Sequence, residues 1–196
     1  MIANNFCEVF SDINLKKSSC QGRATYVRII PLMELQRITA TTIKISSKKG
    51  IVLIDPDTTP DSAIAIMSEE EGNYETTDDT LIIEGAGEYE AKGISVKGVR
   101  IADTLSYEID TEDSKLLFAL STSLEKLVDK DEFDGVLIKV VNALDEGKLA
   151  AVTSGLVILY GDEANIPDSL KQNKVSKVNL RKKEELPGNI IFLDKK

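Results

Sequence analysis

Residues 80–100, TLIIEGAGEYEAKGISVKGVR, constrain the fold of this chain more than any other stretch. Leu81-Ile82-Ile83 is a short apolar run of the kind found in strands buried on both faces. Gly85, Ala86 and Gly87 follow as a turn, where glycine supplies positive φ at low steric cost. Glu88-Tyr89-Glu90 alternates polar and aromatic, and Gly93 and Gly98 bracket Ile94-Ser95-Val96-Lys97. The stretch reads as strand, turn, strand, turn, strand. It carries four of the chain's twelve glycines.

The most informative count is that of histidine, which is zero. Histidine is the commonest transition-metal ligand and the usual acid or base near neutral pH. Its absence removes every His-dependent zinc site, Ser-His-Asp triad and Cys-His pair from this chain. Length and composition narrow the class further. A chain of 196 residues makes one domain, or one domain with an appendage, and can bury a sizeable core. No run of eighteen apolar residues exists, so no membrane helix is expected. The N-terminus MIANNFCEVFSDINLKK lacks the basic and apolar regions of a signal peptide. Cys7 and Cys20 have no CxxC spacing and read as free thiols, so the expected location is cytoplasmic. The net charge of −9 disfavours general nucleic-acid binding. One local exception, KQNKVSKVNLRKK over residues 171–183, carries six basic residues and no acid, and reads as a solvated surface.

Residues 1–32 form an N-terminal extension, and residues 33–196 the main domain. A short helix is expected around Phe6–Ile13, where Phe6, Val9, Phe10 and Ile13 share one face. That face is a candidate contact for a protein partner or a second copy. Ala24–Ile30 reads as a strand stopped by Pro31. In the main domain, alternation and short apolar runs predict strands at 41–46, 51–55, 63–68, 105–109, 115–120, 135–140, 156–160, 175–180 and 190–193. Helices are predicted from Ser121 to Val128 with a serine cap, over 142–153, and over 166–173.

The glycine stretch also carries a family resemblance. Gly85-Ala86-Gly87-Glu88-Tyr89-Glu90, then Gly93-Ile94 and Gly98, resembles the Gly-Pro-Gly-Glu-Tyr-Glu segment of the metallo-β-lactamase fold superfamily. More narrowly, it is similar to small bacterial metallo-hydrolases related to the ascorbate-lactone hydrolases, with Ala86 where proline is usual. The resemblance runs over roughly residues 33–193 and is strongest in 43–56 and 80–98. It implies an α/β fold, a four-layer αβ/βα sandwich of two mixed sheets with outer helices. It also places the family's metal ligands. Thr39-Ala40-Thr41 stands for Gly-His-Ser. Glu69, Glu71, Asn73 and Tyr74 stand for the His-x-His-x-Asp-His loop. Ala119-Leu120-Ser121-Thr122 stands for His-Leu-Gly-Asp and should line the same cleft. Each family histidine is another residue here.

The expectation is therefore a degenerate member, non-catalytic and without a cofactor, acting as a binding, structural or regulatory subunit. Its alternative is a metal-dependent hydrolase. Asp55, Asp57, Glu69, Glu71 and Asn73 could make an all-oxygen site for a hard divalent cation. Glu88 and Glu90 could serve as an acid–base pair, or simply be solvated. Ser121 and Ser154 have no base within reach in the sequence, and Gly85-x-Gly87 is not a phosphate loop because no helix with Lys-Ser/Thr follows.

Overall fold

The computed structural model describes residues 15–18, 25–28, 33–58, 61, 63–68, 79–101, 103–111, 114–127, 132–152 and 155–195. The chain divides into two units, Met1–Ile30 and Pro31–Lys196. In the first, β1 (Leu15–Ser18) pairs antiparallel with β2 (Thr25–Arg28). β2 falls inside the strand expected at 24–30, and β1 was not expected. The helix expected at Phe6–Ile13 lies outside the described residues.

The second unit is built from two sheets. The smaller contains β3 (Met33–Arg37), β4 (Ile43–Ser47), β5 (Ile51–Ile54), β6 (Ile64–Ile66) and β7 (Leu81–Ile83). The larger contains β8 (Gly87–Ala91), β9 (Ile94–Ile101), β10 (Thr104–Thr111), β11 (Ser114–Leu120), β12 (Gly135–Val140) and β13 (Val157–Gly161). Two short helices, α1 (Glu146–Ala150) and α2 (Asp168–Lys171), interrupt this order. The chain closes with β14 (Lys174–Val175), β15 (Lys177–Asn179) and β16 (Ile190–Leu193). The sheet orders are β15-β3-β4-β5-β6-β7 and β14-β16-β13-β12-β11-β10-β9-β8. Each mixes parallel and antiparallel pairs, as the resemblance implied.

Period-two alternation decides which side chains go where. On β3, Met33 and Leu35 turn inward while Glu34 and Gln36 stay half-exposed. The inner faces of both sheets make one core, with Ile43, Ile54, Ile66, Tyr107, Phe118, Leu137 and Ile158 fully covered. Tyr107 and Phe118 are register partners whose rings stack at 6.3 Å. The outer face of the larger sheet makes a second core. There Ile138, Val140 and Leu159 meet Leu124, Leu144 and Leu149 from the helical layer. Because β11, β12 and β13 are buried on both faces, they read as continuous apolar runs rather than alternating ones. Burial of each such Leu or Ile stabilises by about 1.5–3 kcal/mol.

Helices are few, and shorter than predicted. The segment expected over 142–153 is helical only from 146 to 150, because Asp145 is the cap: its Oδ1 accepts from the N–H groups of Gly147 and Lys148. The segment expected over 166–173 shrinks to α2, since Pro167 holds its own backbone extended at ψ 143°. Ser121–Lys126 is a 3₁₀ helix without a serine cap. Ser121 Oγ donates to Asn142 Oδ1 and Ser123 Oγ to the Leu120 carbonyl. The strand expected over 175–180 is two strands in different sheets, with the chain crossing between them at Ser176. Among the described residues, no helix is long and apolar enough to cross a membrane.

The glycine stretch spans both sheets. β7 ends the smaller one, and residues 84–86 carry the chain to β8 at the edge of the larger. The β8–β9 turn places Lys92 (φ 56°) and Gly93 (φ 74°) in the left-handed region, which a two-residue hairpin of this twist requires. Gly98 has a different reason: a Cβ there would lie 2.4 Å from the Gly85 carbonyl oxygen. Gly98→Ala should therefore lower stability by about 2–4 kcal/mol in urea unfolding. Gly85→Ala, with nothing within 4 Å of the added carbon, should change it by less than about 1 kcal/mol.

Candidate functional site

Parallel strands put their C-terminal ends on one edge of the sandwich. β5 and β6 end there in the smaller sheet, and β11, β12, β13 and β16 in the larger. Asp55 follows β5 with φ 45°, a left-handed conformation that Asp tolerates better than most residues. That twist turns its carboxylate into the gap between the sheets. Oδ1 accepts from the Ser68 N–H at 2.7 Å. Oδ2 accepts from Ser68 Oγ at 2.8 Å and from Lys139 Nζ at 2.8 Å. Lys139 Nζ also donates to Ser68 Oγ at 3.0 Å. Carboxylate, hydroxyl and ammonium form a closed triangle, with the Lys139 and Asp55 side chains only 15% and 12% exposed.

Further polar ties join the sheets at the same end. Arg37, the last residue of β3, is buried. Its Nη2 donates to the carbonyls of Ala40 at 2.8 Å and Gly161 at 2.9 Å, and its Nε to the Thr39 carbonyl. Tyr107 donates its hydroxyl to the Met67 carbonyl at 2.9 Å. Thr42 Oγ1 donates to the Asp55 carbonyl and Thr41 Oγ1 to Asp57 Oδ1. Tyr160, the register partner of Lys139, is fully buried, and no group among the described residues accepts from or donates to its hydroxyl. Burial pushes its phenol well above the ordinary tyrosine value. The Asp55 carboxylate adds to the shift, and Arg37 works against it.

These contacts decide what the triangle can do chemically. Ser68 has a carboxylate within reach, the usual signature of an activated nucleophile. Lys139 Nζ, however, donates both to Ser68 Oγ, withdrawing the electron density an attacking oxygen needs, and to Asp55 Oδ2, the oxygen that would take the serine proton. Ser68 is also only 5% exposed. The arrangement is a satisfied polar network rather than a nucleophilic centre.

A metal fits poorly as well. Both oxygens of Asp55 are engaged by protein donors, and a fixed ammonium stands where a cation would approach. Asp57 is exposed and accepts from Thr41. Glu69, Glu71 and Asn73 lie outside the described residues, as does Tyr74. Among the described residues, no group of three or more His, Cys, Asp or Glu side chains could hold a metal ion. The strand end at Ala119 departs from expectation: Ala119 faces the helical layer, and Leu120 faces the gap between the sheets. Thr39-Ala40-Thr41 does lie at this edge, through its bonds to Arg37 and Asp57.

Glu88 and Glu90 are exposed on one face of the edge strand β8, with Lys97 and Ser95 as their respective register partners. The Tyr89 hydroxyl lies 3.4 Å from the Gly85 carbonyl oxygen, at the limit of a hydrogen bond. The basic run 171–183 is laced with ion pairs, from Lys171 to Asp168, Lys174 to Glu163, Lys177 to Glu34 and Lys182 to Glu185. On the helical side, Lys148 bonds Glu125 at 2.6 Å and holds that exposed carboxyl below its usual range.

No protein-family model matches the sequence, and no curated protein matches it. Solved structures do. A protein assigned as a Zn-dependent hydrolase of the metallo-β-lactamase superfamily from Thermotoga maritima superposes with a TM-score of 0.57 at 13% identity, over 84% of this chain and 100% of that one. A protein assigned as a metal-dependent hydrolase from Veillonella parvula gives a TM-score of 0.45 at 10% identity, over 82% and 98%. Igni18, a metallo hydrolase from Ignicoccus hospitalis, gives 0.43 at 8%, over 65% and 82%. At these identities the likeness defines the fold, which is that of the metallo-β-lactamase superfamily.

The pair and the phenol each have a measurable consequence. Lys139→Met leaves the Asp55 charge without its cation and should cost about 2–4 kcal/mol in urea unfolding. Combining it with Asp55→Asn should cost less than the sum of the single changes, by about 1–3 kcal/mol of coupling. Tyr160 keeps its proton in the folded state where the unfolded chain, with a value near 10, gives it up. Its contribution is complete below pH ~10 and falls as pH rises past it. Tyr160→Phe should flatten the alkaline limb of a pH–stability curve and leave the neutral limb within about 1 kcal/mol.

Proposed function

We propose that this chain is a non-catalytic protein of metallo-β-lactamase fold that serves as a binding, structural or regulatory subunit. The observation that carries the reading is the Lys139 ammonium on Asp55, at the edge where the resemblance places the metal centre. An ammonium tethered there satisfies the carboxylate and repels a second cation. The absence of histidine from the whole chain supports the same conclusion. Zinc-hydroxide chemistry needs ligands that hold the ion while lowering the pKa of its water to about 7, and a single carboxylate already bonded to lysine is not such a set. The Thermotoga maritima protein is assigned as a Zn-dependent hydrolase, and this chain keeps its scaffold rather than that chemistry. A cytoplasmic location goes with the reading, on two cysteines without metal or disulfide spacing.

Elemental analysis of protein purified without chelator tests the proposal. Less than about 0.1 zinc per chain is expected, with no zinc-dependent hydrolysis of lactone, lactam or phosphodiester substrates. One or more tightly held transition metals per chain would sink it. Activity with Mg²⁺ or Mn²⁺ that disappears in Glu69→Gln/Glu71→Gln would favour a carboxylate-held hard cation instead.

A further inference from the structure

We infer that the end of the gap between the sheets, beside Gly161, holds a small carboxylate anion between the Arg37 guanidinium and the Tyr160 hydroxyl. This rests on the binding role proposed above and names its site and the chemistry of its ligand. Arg37 is only 7% exposed, and a charge so covered calls for a counter-charge. Its Nε and Nη2 donate to the carbonyls of Thr39, Ala40 and Gly161, and its guanidinium carbon lies 6.0 Å from the centre of the Phe192 ring. Among the described residues no carboxylate pairs with Arg37, and nothing accepts from Nη1. Tyr160 directly precedes Gly161, and its covered hydroxyl is a second donor without an acceptor among the described residues. The two side chains lie close enough for the guanidinium to act on the phenol, which burial keeps protonated and so able to donate.

The charges around this point fit a ligand with one negative charge. Arg37 and Lys139 supply two cations, and Asp55, bonded to Lys139 at 2.8 Å, supplies one anion. The phenol stands among them, as the register partner of Lys139 and within the field of Asp55. Lys195, exposed, bridges Arg37 through the backbone and adds a cation at the rim. The acids of the neighbouring loops are engaged locally: Asp57 accepts from Thr41, Asp162 from the Ala164 N–H, and Glu163 pairs with Lys174. With an ammonium and a guanidinium fixed at this end, the ligand it attracts is opposite in sign to a metal ion. A carboxylate brings a single charge and two acceptor oxygens, one for each donor. The cover over Arg37 and Tyr160 restricts the ligand to a small one.

The test titrates the full chain with sodium formate, and in parallel with acetate, phosphate and benzoate. Ionic strength is held constant with sodium chloride, so that chloride competes throughout. Amide chemical shifts should move saturably with formate and acetate, centred on Arg37, Tyr160 and Gly161, with a Kd of about 1 mM, near the ceiling for so few atoms. Phosphate and benzoate should bind at least ~10-fold more weakly, the one for its charge and the other for its size. Tyr160→Phe and Arg37→Lys should each weaken formate binding ~10-fold, and Lys182→Gln, at an exposed cation elsewhere, should leave it unchanged. Circular dichroism checks that each variant folds, and Tyr160→Phe decides the matter if Arg37→Lys does not. Formate shifts that fail to saturate below about 100 mM, or that spread over the surface, would overturn the inference. So would equal formate affinity in Tyr160→Phe, or benzoate binding as tightly as formate. A crystal structure at saturating formate with only water between the two donors would overturn it too. Zinc uptake bears on the proposed role alone, so the two readings fail by different measurements.

Discussion

Lys139 on β12 and Asp55 after β5 meet at 2.8 Å across the gap between two sheets whose facing sides are mostly apolar. Taking both charges out of water costs several kcal/mol per ion, and attraction at short range offsets this only when the remaining donors and acceptors are satisfied. Here they are, because Ser68 supplies both its amide and its hydroxyl. The pair thus contributes more to specificity than to net stability. A one-residue slip of β12 would turn Lys139 into the outer core and strand Asp55 alone, so the pair helps fix the register of β12 against its neighbours.

The rest of the sandwich follows from the larger sheet being buried on both faces. Its inner face meets the smaller sheet, and its outer face meets the helical layer. Central strands under that constraint must be apolar throughout, which leaves polar atoms to the strand ends. The polar ties cluster accordingly at one edge, where Arg37, Asp55, Ser68, Tyr107 and Lys139 join elements distant in the chain. Such an edge is also where a fold of this type presents groups to a ligand or partner. Whether it performs chemistry depends on which groups arrive there, and here an ammonium arrives on the carboxylate.

Much of the fold was legible in the residues. β4, β5, β11, β12 and β13 announce themselves as short apolar or alternating runs, and the glycine stretch marks the passage from β7 to β8 and β9. β3 was missed although Met33-Glu34-Leu35-Gln36-Arg37 alternates and follows the breaker Pro31. Helix lengths were overestimated for a local reason: Asp145 and Pro167 restart the backbone inside apolar patterns that read as continuous. The strand expected over 175–180 splits between sheets, which no local pattern encodes.

By itself the sequence determined the class of fold, the absence of a histidine-based metal centre, and Asp55 as a strand-end carboxylate. The class of fold came through the family resemblance of the glycine stretch, whereas the missing histidine and the strand ending at Asp55 depend on composition and on periodicity within a few residues. Only the tertiary structure decided that Lys139, an isolated lysine in the apolar run GVLIKV, reaches across 84 residues of chain to Asp55. It alone decided that Arg37 bonds Gly161, 124 residues away, and that the Tyr160 hydroxyl has no hydrogen-bond partner among the described residues. The physical reason is that a strand's period fixes which face a side chain takes, while its partner across the gap is set by the order in which the strands are laid into two sheets.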